Sequence, residues 1–156
     1  MNGFFKVPEV DNEPVREYAP GSADAIALKA ALVEARAVEI DIPMYINGEE
    51  VRTGNTHAMY PPHDIKHKLG VYHQGDASHV SKAIDSALGA KEKWENLAWE
   101  QRAAIFLKAA DLVAGPYRMK LNAATMLAQS KNAYQAEIDA SCELIDFLRF
   151  NVEYIT

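Results

Sequence analysis

The sequence of 156 residues is 49% apolar and 24% charged, the balance of a globular chain with material for a core and unlike that of a disordered tail. Sixteen basic residues against 22 acidic ones give a net charge of -6 with no dense lysine or arginine run, which argues against a nucleic-acid partner. A single cysteine rules out an intrachain disulfide, and no apolar run approaches the roughly 18 residues of a membrane span.

Residues 1–8 have neither the apolar centre of a secretion leader nor the Arg-rich helix of an organelle presequence, so the expected compartment is the cytoplasm. Pro8, Pro14 and Pro20 each remove a backbone donor and keep residues 1–21 extended. Gly21-Ser22 opens a helix over 23 to about 39, capped by Ser22, with Ile26, Leu28, Ala31, Leu32 and Ala35 as its apolar stripe. Pro43 closes that region. Met44-Tyr45-Ile46, Asn47-Gly48 and Glu49-Glu50-Val51-Arg52 read as a hairpin, because asparagine and glycine accept the left-handed dihedrals of a tight turn. Strands that short need a sheet or a partner subunit beside them. After the stiff Tyr60-Pro61-Pro62-His63-Asp64 connector, one further strand is expected within 65–73, and Gly75-Asp76-Ala77-Ser78 turns into a helix.

Four helices account for the rest. Val80, Ala83, Ile84, Ala87 and Leu88 recur at helical spacing over 78–94, and Trp99, Ala103, Phe106, Ala110 and Val113 repeat the rhythm up to Gly115-Pro116. Trp94 and Trp99 are expected in the core. A third helix carries Tyr117, Leu121, Ala124 and Leu127 or Ala128; the fourth runs over 132–154. Read as one regular helix, that last segment has two apolar faces: Tyr134, Ile138, Ser141, Ile145, Leu148 and Val152 on one, Ala136, Ala140, Phe147, Phe150 and Tyr154 on the other. Two apolar faces expect material on both sides, from further polypeptide or from a surrounding helical bundle.

Chemistry is sparse. His63 and His67 have the spacing of zinc ligands on a helix, but the preceding prolines and the strand expected around His67 favour ordinary surface or structural histidines. The eight glycines form no phosphate cradle. Cys142 sits mid-helix beside Glu143 and near Asp139 and Asp146, where negative charge keeps it a thiol and not a nucleophile. Glu143 falls on the side carrying Ala136, Ala140 and Phe147, where it is either exposed or salt-bridged, or else is turned into a cavity and able to recognise an ammonium group. Lys131, Gln135 and Glu137 are expected as capping or surface residues.

Trp94-Glu95 and the run Arg102-Ala103-Ala104-Ile105-Phe106-Leu107-Lys108-Ala109-Ala110-Asp111-Leu112 resemble early helices of the aldehyde dehydrogenase superfamily. Gln135-Ala136-Glu137-Ile138-Asp139, Glu143-Leu144-Ile145-Asp146-Phe147 and Arg149-Phe150-Asn151, with Asn12-Glu13-Pro14-Val15 and Gly21-Ser22 upstream, are similar to its pyrroline-5-carboxylate dehydrogenase branch. The resemblance spans the whole sequence but only about the first third of such an enzyme. It implies the N-terminal portion of an α/β aldehyde dehydrogenase fold, here mostly helical with a short β-hairpin and one or two further strands. By the same resemblance, 1–21 is an extended segment, 22–76 belongs to the oligomerisation region, and 77–156 is a four-helix part of the NAD-binding domain.

The implied parent activity is NAD-dependent oxidation of L-glutamate 5-semialdehyde to L-glutamate in proline degradation, by a homo-oligomer acting on a small molecule. The catalytic cysteine, the general base and the cofactor site have no counterpart in these residues, so this portion alone is expected to be inactive. What carries over is Glu143, matched to an acidic residue near the family's substrate pocket and expected to orient the amino-acid end of the substrate. The competing expectation is a self-contained helical binding or assembly module without catalysis.

Overall fold

The computed structural model describes residues 6–155. Two compact units emerge, one formed by residues up to Ala35 together with those from Ala98 onward, the other by Arg36–Leu97. These bounds differ from the expected ones. The helix after Ser22 clusters with the C-terminal helices, and the helix after Asp76 with the hairpin and strands.

In the first unit, α1 (Ala23–Ala37) starts where the Ser22 hydroxyl accepts a hydrogen bond from the Ala25 amide at 3.2 Å, and an Arg16–Asp24 pair at 2.6 Å crosses its first turn. It buries Ala25 and Leu28, whereas Ile26, expected on the same stripe, is exposed. α3 (Trp99–Ala114) ends at Gly115, whose amide donates to the Asp111 carbonyl. α4 (Arg118–Gln129) ends at Ser130 in the left-handed conformation, φ 58°. α5 (Ala133–Ala136) begins in a reciprocal capping box between Asn132 and Gln135, in which each side chain accepts from the other's amide.

The helix expected over 132–154 is therefore three pieces: α5, a π-helical segment at Glu137–Cys142, and α6 (Glu143–Tyr154). α6 packs along α3, with Ile145 and Val152 facing inward two turns apart, while α3 buries Ala103 and Ala110 at the same spacing. Alanine on one helix leaves room for a branched side chain on the other, and each such burial contributes about 1.5–3 kcal/mol.

The second unit is built on pairing. β5 (Gly70–His73) lies between β1 (Ile40–Ile42), which is parallel to it, and β4 (Thr56–Met59), which is antiparallel. β2 (Met44–Ile46) and β3 (Glu49–Val51) form the expected hairpin, with Asn47 and Gly48 at φ 56° and 78°. β1 and β4 were not expected, and the strand foreseen over 65–73 is confined to its last four residues. Its front half is instead a pair of turns, in which the Asp64 amide donates to Pro61 and the His67 amide to Asp64. Gly70 is obligatory where it stands: a Cβ there would lie 2.0 Å from the Ile40 carbonyl oxygen, at φ 149°.

α2 (Ala77–Glu95) is capped by Asp76 and carries no buried residue, and Val80, Ile84 and Leu88, which recur at helical spacing, are exposed. Trp94, expected in the core, is 41% exposed.

Candidate functional site

A buried ionic cluster occupies the first unit. Arg118, 1% exposed at the start of α4, directs its guanidinium onto the fully buried Glu137 carboxylate, onto Glu13 at 2.5 Å and onto the Pro14 carbonyl at 3.1 Å. Glu137 also accepts from the Tyr18 hydroxyl at 2.6 Å, the Asn122 amide at 2.7 Å and the Arg16 backbone N–H at 3.0 Å. Arg149 pairs with the second oxygen of Glu13 at 2.6 Å. Asp146 takes the Glu13 amide at 2.7 Å and the Asn12 side chain at 2.8 Å.

Residues 12–18 are thus fastened to the helices by charge and hydrogen bonding. Burial alone would push the Glu137 carboxyl up, but the bonds from Arg118, Tyr18, Arg16 and Asn122 outweigh it and hold it at about 2. Burial likewise works against the Arg118 charge, yet Glu137 and Glu13 keep its proton bound more tightly than usual. Tyr18 is pushed up, first by burial and then by the Glu137 carboxylate it serves.

This corrects the expectation that Glu137 caps a helix or lies at the surface. The signal was present as two polar pairs at one-turn spacing, Arg118 with Asn122 and Glu137 with Ser141, on successive helices. Lys131 pairs with Asp139 at 2.5 Å and Gln135 closes the α5 capping box. Cys142 is buried against the cluster, 3.5 Å from Arg118, and burial with the nearby Glu137 charge pushes its thiol up to about 11. It stays protonated at neutral pH.

The π-helical segment decides where Glu143 faces. In a regular α-helix, positions seven apart share a face to within about 20°. Glu143 is seven on from the fully buried Ala136 and Leu144 seven on from Glu137, so an unbroken helix would turn both inward. The buried positions instead advance by five, from Ala136 to Ser141 and from Glu137 to Cys142, and then continue to Ile145 and Val152.

The extra residue is visible in the hydrogen bonding, where the Glu143 amide reaches the Ile138 carbonyl, five back. Glu143 is consequently exposed, not on the Ala136 side where the regular-helix reading placed it. One turn on, Phe147 shares its face and is 64% exposed. Among the described residues, no side chain bonds to or pairs with the Glu143 carboxylate.

The other unit has an open pocket of about 430 Å³ between the β2–β3 hairpin and α2, where Lys82 and His79 are offset by Asp85 and Glu49. It contains no residue singled out from the sequence as a substrate contact. Among the described residues no group of three or more metal-ligating side chains occurs, at His63 and His67 or elsewhere. No helix of the structure is long and apolar enough to cross a membrane.

The model of the aldehyde dehydrogenase family matches residues 50–156. A delta-1-pyrroline-5-carboxylate dehydrogenase from Agaricus bisporus is 53% identical over 152 residues, covering 97% of this chain and 28% of that protein. The mitochondrial enzyme of the same name from Dictyostelium discoideum is 43% identical, over 95% of this chain and 26% of its own length. Among solved structures, delta-pyrroline-5-carboxylate dehydrogenase from Mycobacterium tuberculosis bound with NAD superposes with a TM-score of 0.96 at 44% identity, over 99% of this chain and 29% of that one.

The chain therefore spans between a quarter and a third of the length of these relatives. The helical segment with its small sheet corresponds to the N-terminal portion of the aldehyde dehydrogenase fold. The cytoplasmic expectation is corrected: the Dictyostelium relative and several others are mitochondrial by name. A disulfide-free composition fits either compartment.

Proposed function

Because the chain belongs to the aldehyde dehydrogenase family, we propose that the native protein oxidises L-glutamate 5-semialdehyde, the open form of 1-pyrroline-5-carboxylate, to L-glutamate with NAD. The relatives' shared name supports this substrate class. The observation that carries it within this chain is the unpaired Glu143 carboxylate, exposed one turn from the Phe147 ring. A carboxylate and an aromatic face at that spacing suit an ammonium group, the feature that separates an amino-acid aldehyde from a plain one. Glu143 then binds and orients the α-amino end of the substrate and takes no part in hydride transfer.

NAD accepts the hydride when bound, but the described residues do not fit a site for it. The one parallel strand pair, β1 with β5, leads into no glycine-rich turn. The helix after β5 already has its first amides occupied by the Asp76 carboxylate, at 2.9 Å from Ser78 and 3.2 Å from His79. That carboxylate, held well below the usual range by Ser78 and His79, would repel a pyrophosphate. We therefore assign the cofactor site, the reactive thiolate and its base to the portion of the relatives that this chain does not cover.

We also infer a homo-oligomer, since the β2–β3 hairpin pairs only with itself and Tyr45 on it is 68% exposed. Light scattering of the native protein checks this, and a monomeric mass contradicts it.

Initial-rate NADH formation from glutamate semialdehyde tests the main reading. The native protein bearing Glu143→Ala is expected to show KM raised at least about tenfold, equivalent to about 1.4 kcal/mol of lost substrate binding, with a smaller change in kcat. Unchanged KM removes the role of Glu143, and no NADH from the unmutated protein removes the activity.

A further inference from the structure

The π-helical segment is gripped at two points by one side chain. The Asn122 amide nitrogen donates to Glu137 Oε2 at 2.7 Å, and its amide oxygen accepts from Ser141 Oγ at 2.7 Å. Glu137 and Ser141 lie four residues apart within the segment, and all three side chains are fully buried. Asn122 also donates to the Tyr18 hydroxyl at 2.8 Å, so its donors and acceptor are committed. A side-chain amide can donate to a carboxylate from its nitrogen and accept from a hydroxyl at its oxygen at the same time.

A π-helical segment packs less favourably than an α-helix and persists where its surroundings over-determine it. Here the surroundings are Asn122. Were that grip removed, Glu137 would still be held by Arg118, Tyr18 and the Arg16 amide, so the register that yields is the downstream one. In an unbroken helix each residue of α6 takes its successor's place, so Leu144 replaces Ile145, Asn151 replaces the buried Val152, and Glu143 enters the place that Leu144 now holds. Glu143 turns with it towards the Ala136 side.

We propose that Asn122 is a positioning residue: by clamping Glu137 and Ser141 it maintains the π-helical segment, and the resulting rotation of α6 keeps Glu143 on the open face. The inference builds on the reading of Glu143 as the ammonium contact, but its geometric half is testable without it.

The decisive probe is a thiol at position 143. In the native protein carrying Cys142→Ala and Glu143→Cys, maleimide labels the exposed residue 143 readily. Adding Asn122→Leu slows that labelling. A residue that only stabilised the fold would act in the opposite sense, since loosening the helix speeds labelling. Ser141→Ala, which removes one arm of the clamp, slows it less and serves if the leucine variant does not fold. Labelling at the original rate, or faster, in a folded variant overturns the proposal.

With Glu143 intact, Asn122→Leu lowers the kcat/KM ratio of glutamate semialdehyde over an unsubstituted aliphatic aldehyde about tenfold, mainly through KM for the former. A parallel loss for both aldehydes overturns the positioning role. If Glu143→Ala leaves KM unchanged, the reading of Glu143 fails while the labelling result still judges the clamp.

Discussion

The two units of the chain hold themselves together by different means. In the first, the centre is ionic: Arg118, Glu137 and Glu13 are buried together, and an N-terminal segment that could offer little apolar surface is fixed by carboxylates and amides. In the second, the interior amounts to Pro61, Leu69, Gly70 and His73, and the fixing is done by backbone pairing and by side chains bonded to backbone. His73 is the clearest case, with Nδ1 accepting from the Thr53 and Gly54 amides and Nε2 donating to Asp41 at 2.9 Å. A buried charge cluster sets orientation at a high cost if one member is lost, whereas a paired sheet spreads its stability over many weak contacts.

Removing Arg118 breaks the comparison most severely. Arg118→Met leaves Glu137 without its cation and Glu13 with Arg149 alone, and urea unfolding should show a loss of about 3–5 kcal/mol. A loss under 1 kcal/mol would mean that the cluster is not what fastens the N-terminal segment. In the other unit the most sensitive position is a backbone one: Gly70→Ala drives a methyl into the Ile40 carbonyl and is expected to cost about 2–4 kcal/mol. Hydrogen exchange should report the damage at β1 and β5 amides, and protection there equal to the parent's would contradict it.

Acid sharpens the contrast with a smaller effect. Glu137 is held at about 2 in the folded state against an ordinary value of 4.5, so its stabilisation is complete above the unfolded value and is lost as pH falls through the folded one. One such proton gives a slope of at most about 1.4 kcal/mol per pH unit between those limits. Thermal melts from pH 5 to pH 2 should show that slope, and Glu137→Gln should flatten it.

How much of this was legible in the sequence follows from what each feature depends on. The helices were, because helical spacing of alanine and leucine is a local property, and the hairpin was, because Asn47-Gly48 demands its own dihedrals. β1 was not: Ile40-Asp41-Ile42 is three residues long and exists by pairing with Gly70-Val71-Tyr72. The exposure of α2 was not legible either, because periodicity reports amphipathicity and not what covers the apolar face.

Glu137 was missed for a similar reason. Its partners lie 15, 19 and about 120 residues away, and the polar pair Glu137 with Ser141 does not by itself say what it faces. The π-helical segment has no residue signature at all, so Glu143 was assigned a face by assuming a regular helix. The residue singled out was misplaced by about one residue's rotation.

The link between the buried clamp and the exposed acid is tested most directly by a double-mutant cycle on kcat/KM for glutamate semialdehyde, with Asn122→Leu and Glu143→Ala singly and together in the native protein. Asn122 acts through Glu143 in this account, so the double variant should be no worse than Glu143→Ala alone. Losses that multiply across the two sites would show that Asn122 affects turnover by another route and would contradict it.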